Sequence, residues 1–153
     1  MSSAVAVRPS NRGFWLVMGP IAIVSALLLV LIFVNRPVAE RASEFTARHN
    51  LRTALAAARA IEAREGTFAA AGTISMRRAA SDLAFTDPDL ASNNPDVISV
   101  FASDGVWAGA ARAETGACFW IRTDLSGDVV TGRAADCTGE AASSDAPVAW
   151  PSP

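Results

Sequence analysis

The feature that most constrains this chain is an uncharged stretch of 21 residues near its beginning, Phe14 to Val34. A helix needs about 20 apolar residues to cross the roughly 30 Å hydrocarbon core of a bilayer. We therefore predict a transmembrane helix over residues 14–34. A cleaved secretory signal is the competing interpretation, but its apolar region would be shorter and would end at a small-residue cleavage site. Here the stretch runs into Asn35-Arg36-Pro37, which favours an anchor.

The cations that flank an apolar span determine its orientation. Arg8 and Arg12 precede the stretch, and no acidic residue accompanies them. We therefore predict a single-pass membrane protein with a cytoplasmic N-terminus and an extracytoplasmic C-terminal domain, with display at the cell surface as a further option. Membrane lipid is accordingly the first predicted partner.

Two cysteines, Cys118 and Cys137, lie 19 residues apart in the C-terminal part of the chain. An even pair in an extracytoplasmic domain predicts a disulfide, whereas two free thiols would be expected if the domain were cytosolic. A zinc site is disfavoured, because these cysteines and the distant His49 do not supply four ligands. We predict the Cys118–Cys137 bridge and no metal.

The charge of the C-terminal part disfavours nucleic acid as a partner. Beyond Val34 there are 11 arginines against 15 acidic residues, a net charge of −4. Proteins that bind nucleic acid need a basic face. No nucleic acid contact is therefore predicted.

An amphipathic pattern follows the apolar stretch over residues 35–66. Its apolar residues recur at helical spacing, and its alanines are the best helix formers. Gly66 is a plausible residue to end this helix. A helix running unbroken from Phe14 to Glu65 would be roughly 78 Å long. The apolar stripe consists of Leu51, Ala54, Leu55, Ala58 and Ile61.

The rest of the chain predicts a short helix over Met76–Phe85 and then a meander of three or four antiparallel strands. β-branched and aromatic residues mark the strands, and glycine-containing turns separate them. Trp107 and Trp120 are expected in the core, whereas Trp150 lies in a proline-rich tail and is a candidate for a small contact role. The predicted strands are Val97–Ala102, Val106–Arg112, Cys118–Thr123 and Val129–Thr131.

These elements predict an α+β fold in which a long N-terminal helix packs on a small antiparallel sheet of 3–4 strands. The first half of that helix is predicted to be transmembrane and the second half amphipathic. The domain organisation is a cytoplasmic leader-like segment (1–13), the transmembrane helix (14–34), the amphipathic helix (35–66), an extracytoplasmic α+β head (67–139) and a flexible tail (140–153).

Four short stretches carry a resemblance to a known family. A basic leader ends at Gly13-Phe14, the long helix closes with Glu65-Gly66-Thr67-Phe68, and a cysteine pair lies in Gly116–Trp120 and Cys137–Gly139. In this order of elements the chain resembles type IV pilins and type II secretion pseudopilins. The resemblance implies a pilin-like fold and a leader-processing junction between Gly13 and Phe14, with methylation of the new N-terminus. It also implies other pilin-like subunits and a pilus or secretion assembly machine as partners.

One departure from the family pattern bears on the role of the chain. The family has a glutamate at the fifth position after the processed glycine, and Met18 occupies that position here. Because that carboxylate pairs with a neighbouring subunit in the family, its absence favours a minor subunit over the main structural one.

The sequence shows no catalytic constellation and predicts no cofactor. His49, the single histidine, is expected to face solvent on the helix. Asp124, Ser126 and Asp128 offer oxygens to a calcium ion, but they lack the rest of an EF-hand loop, so a turn is the favoured interpretation.

We therefore predict a pilin-like subunit, minor in its assembly, of a type IV pilus or secretion pseudopilus. It would act by helix packing and by display of a disulfide-stapled head, and it would not be an enzyme. The alternative is an unprocessed single-pass membrane protein with an extracytoplasmic sensing or scaffold domain. An extracytoplasmic enzyme is the third and least favoured interpretation.

Overall fold

The computed structural model describes residues 12–145 and Trp150. The chain divides into two compact units, Met1–Val38 and Ala39–Pro153, which are described separately. The elements in chain order are α1 (Arg12–Glu65), a 3₁₀ turn (Phe68–Ala71), α2 (Thr73–Ala79), β1 (Ala84–Thr86), β2 (Val97–Ala102), β3 (Val106–Arg112), β4 (Cys118–Asp124), β5 (Val129–Ala134) and α3 (Gly139–Ser144).

The first unit contains the beginning of α1, which covers the stretch predicted to cross a bilayer. Among the described residues, no helix combines the length and the apolar character needed to cross a membrane. This finding corrects the predicted fold, in which the first half of the long helix was transmembrane. The predicted processing junction, Gly13 and Phe14, falls in the first turn of α1, and residues 1–11 of the leader-like segment lie outside the described residues.

The second unit begins with the rest of α1, whose predicted apolar stripe is buried. Leu51, Ala54 and Ala58 are fully inaccessible to solvent and belong to the main core cluster. Gly66 ends the helix with a φ of 76°, and its N–H donates to the carbonyl of Glu62 at 2.7 Å. A residue with a side chain rarely adopts this conformation, which is why glycine suits the position.

The sheet has five strands in the order β1-β2-β3-β4-β5, which corrects the predicted sheet of 3–4 antiparallel strands. β2 to β5 form the antiparallel meander, and β1 adds a parallel pair in which Phe85 lies opposite Ile98. The sheet is therefore mixed. The sequence predicted a helix that ends at Phe85, but α2 ends at Ala79. Phe85 belongs instead to β1, whose three residues are too few to show an alternating pattern.

Side chains of the sheet alternate between two cores, one on each face. Phe119 and Ile121 of β4 point into the cluster that contains α1, whereas Cys118 and Trp120 point to the opposite face. There they meet Cys137, which precedes α3, and Ala142, which lies within α3. The second unit therefore has three layers, with α1 on one side of the sheet and α3 on the other.

The predicted disulfide is confirmed. Cys118 of β4 and Cys137, which precedes α3, are bonded with their Cα atoms 5.4 Å apart. The bridge attaches the small α3 layer to β4. Trp107 and Trp120 are both fully buried, as predicted for core residues.

Candidate interaction face on α1

The part of α1 that belongs to the second unit exposes an unusually apolar outward face. One set of exposed residues on this part of α1 falls within an arc of about 80° around the helix axis, counted at 100° per residue. This arc lies opposite the buried stripe. We call this set the outward stripe; it contains no charged side chain. It consists of Ala42, Phe45, His49, Thr53, Ala56, Ala60 and Ala63.

Phe45 is the largest member of the outward stripe and is 60% exposed. Its ring stacks on that of His49, one turn later, with the centroids 6.1 Å apart and the planes within 14° of parallel. His49 therefore lies on an exposed helix surface, as predicted. A helix that packs on one side only usually carries charged residues on its other side, so this face requires an explanation.

Charged and polar residues of α1 lie instead on its flanks, and some of them attach the helix to the rest of the second unit. The guanidinium of Arg59 donates to the carbonyl of Gly127 at 2.6 Å and to the hydroxyl of Thr123 at 3.2 Å. On the other flank, the amide of Asn50 donates to the carbonyl of Pro95 at 2.9 Å. These contacts hold α1 in a fixed orientation, so the outward stripe is presented as a preformed surface.

Arginines and aromatic rings, including Trp150 near the end of the chain, form a cluster on one flank of α1. Arg48 and Arg133 lie over the ring of Phe119, with their guanidinium carbons 5.4 and 4.9 Å from its centroid. Trp150 packs edge-on against Phe119, and its indole N–H donates to the carbonyl of Gly132 at 3.0 Å. Trp150, for which a contact role was left open, therefore makes its contacts within its own chain.

The residues considered for calcium form a hydrogen-bonded turn between β4 and β5. The backbone N–H and the hydroxyl of Ser126 both donate to Oδ1 of Asp124, at 2.9 and 2.5 Å. The hydroxyl of Ser126 is the main reason that the pKa of Asp124 lies below its ordinary value. Within the part of the chain that the structure describes, no group of three or more His, Cys, Asp or Glu residues could hold a metal ion.

A groove that sequence analysis missed runs between the end of α1 and α2. Its volume is about 760 Å³, and its floor is made of small or apolar side chains, including Ala57 and Ile61. Arg64 of α1 and Arg78 of α2 stand at its rim, together with the single acid Glu65. The signal in the sequence was weak, because the two arginines are 14 positions apart and only the packing of α2 brings them to one groove.

Comparison of the chain with protein-family models, with curated proteins and with solved structures found no match.

Proposed function

We propose that the chain is a non-enzymatic assembly subunit of the kind found in type IV pili and secretion pseudopili. The outward stripe of α1 would pack against helices of neighbouring subunits, and the disulfide-stapled sheet would be displayed on the outside of the assembly. The Cys118–Cys137 bridge supports an extracytoplasmic location, because disulfides persist in oxidising compartments.

The observation that carries this proposal is the second apolar face of α1. An isolated domain needs to bury only the face that packs on its own sheet, and Leu51, Ala54 and Ala58 already provide that face. The opposite face nevertheless has Phe45 in solvent and alanines at positions 56, 60 and 63. Small side chains allow the backbones of two helices to approach closely, and an exposed aromatic ring can fill the remaining space between them.

The decisive experiment compares two arginine substitutions in native cells. Ala56→Arg places a charge in the middle of the outward stripe, whereas Ala135→Arg places the same charge on an exposed residue after β5. Arginine is a good helix former, so Ala56→Arg should leave α1 folded. We expect Ala56→Arg to abolish recovery of the protein in the sheared surface fraction and Ala135→Arg to leave that recovery unchanged.

The intact mass of the wild-type protein in the same fractions gives a second measurement. A chain that begins at Phe14 in sheared material supports an assembled and processed subunit. A chain that retains Gly13 and occurs only in the cell-associated fraction would overturn the proposal, as would normal recovery of Ala56→Arg.

A further inference from the structure

The turn between β4 and β5 projects an apolar residue between two acids. Leu125 is 59% exposed, and Asp124 and Asp128 on either side of it are also exposed. We call residues 124–128 the acidic tip. Its shape is fixed by the bonds from Ser126 to Asp124 and by Gly127, whose φ of 86° suits glycine.

The groove between α1 and α2 has the complementary character. Its floor is apolar, and Arg64 and Arg78 at its rim are exposed, with no hydrogen bond or ion pair to other described residues. Because Glu65 is the one acid that lines it, two cations outweigh one anion there. The groove therefore has an apolar floor and a positively charged rim, whereas the acidic tip has an apolar side chain between two negative charges. The two surfaces are thus complementary.

The tip and the groove lie on opposite flanks of α1. The carbonyl of Gly127 in the tip accepts a hydrogen bond from Arg59, whereas the groove is lined by residues 57, 60, 61 and 64 of the same helix. At 100° per residue, Arg59 and the centre of the groove are about 150° apart around the helix axis. The tip of a molecule therefore does not face its own groove.

We propose that the acidic tip of one copy of this chain docks into the groove between α1 and α2 of the next copy. Leu125 would contact the apolar floor, while Asp124 and Asp128 would face Arg64 and Arg78. The two surfaces differ, so the contact is head-to-tail and continues from copy to copy instead of closing a symmetric dimer. This inference rests on the proposed function and adds to it a lateral contact between neighbouring subunits.

Another acidic loop of the chain is a less suitable occupant. Asp89 and the exposed Leu90 follow β1, but Asp87 in the same loop accepts a hydrogen bond from Thr73 of α2 at 2.9 Å. Asp87 is therefore already engaged within its own chain.

The test uses two charge reversals in the purified full chain, followed by sedimentation velocity. Asp128→Arg changes the tip and Arg78→Glu changes the groove, and both residues are exposed. Each variant alone should weaken self-association about tenfold or more, since it places like charges in contact. An equimolar mixture of the two should recover association, because each variant offers the surface that complements the other.

Asp136→Arg is the matched control, since it makes the same charge change at an exposed residue outside both surfaces. It should self-associate like the wild type, and the wild type should associate less at high ionic strength. Unchanged association of Arg78→Glu or Asp128→Arg would overturn the proposal. Loss of association that the mixture does not recover would also overturn it, because the groove would then accept an acidic partner other than the tip.

Ala56→Arg in the same measurement separates this inference from the proposed function. If Ala56→Arg disrupts assembly while the two charge reversals do not, the tip and groove contact is wrong and packing through the outward stripe stands. If the charge reversals disrupt assembly and the mixture recovers it while Ala56→Arg has no effect, the tip and groove contact stands and packing through the stripe is wrong.

Discussion

The indole ring of Trp120 in β4 lies directly over Gly132 of β5, its cross-strand partner. A Cβ atom built on Gly132 would come within 2.3 Å of the ring atom Cζ2, a distance that real Cβ atoms do not show. Trp120 is fully buried on the α3 face of the sheet. The ring therefore occupies the space that any larger residue at position 132 would need.

Gly132→Ala should consequently destabilise the second unit by about 1–3 kcal/mol, the usual cost of overpacking a well-filled core. Urea unfolding followed by tryptophan fluorescence would measure the loss. Gly105→Ala is the matched control, because a Cβ there meets nothing within 4 Å. Equal stability of the two variants would show that Trp120 can move aside at little cost.

Removing the disulfide should destabilise the protein by about 3 kcal/mol in the chain-entropy model, given the 19 residues that separate its cysteines. The double variant Cys118→Ser, Cys137→Ser should therefore unfold at a lower urea concentration than the oxidised wild type. Added reductant should lower the wild-type midpoint and leave the double variant unchanged. A wild-type midpoint that reductant does not move would contradict the prediction.

Ser99 of β2 joins three parts of the second unit through one buried hydroxyl. It donates to the carbonyl of Asp87 at 3.0 Å and accepts from the N–H of Gly139 at 2.8 Å. Ser99→Ala should cost about 1–3 kcal/mol, because it leaves buried polar groups without that partner. Ser144→Ala, which removes an exposed hydroxyl from α3, should change the free energy of unfolding by less than about 0.5 kcal/mol. Thermal unfolding of both variants would provide the comparison.

The pKa of Asp124 gives a prediction with a defined sign. Because the Ser126 hydroxyl lowers it in the folded state from the ordinary value of 3.8, the favourable interaction is fully present above that value. It is lost as the pH falls through the lowered folded value. Ser126→Ala should therefore raise the midpoint of the Asp124 titration measured by NMR. Ser81→Ala, at an exposed residue far along the chain from this turn, should leave the midpoint where it is.

Most elements of the second unit could be predicted from the sequence because their signals are local. β2, β4 and the start of β5 coincide with stretches of β-branched and aromatic residues, and β3 begins with Val106 and Trp107. α1 buries the stripe that helical spacing indicated. Phe119 and Trp120, neighbours in β4, lie on opposite faces of the sheet, as the alternation of side chains along a strand requires. Each of these features depends on neighbouring residues in the chain, so it is visible without the fold.

The features that sequence reasoning missed depend on tertiary contacts. β1 is only three residues long and exists because Phe85 and its neighbours pair with β2. α3 contains few apolar residues and has its place because Cys137 is bonded to the sheet. The groove likewise requires α2 to bring Arg78 near Arg64, so no local pattern could have predicted it.

The two outer strands of the sheet also limit how copies of this protein can join. β1 offers only Ala84–Thr86 along its edge, and the carbonyl of Gly132 in β5 is already bonded to the indole N–H of Trp150. Short or occupied edges resist the strand-to-strand pairing through which β-proteins aggregate into amyloid-like ribbons. We therefore expect concentrated copies of this domain to resist fusing their sheets into one.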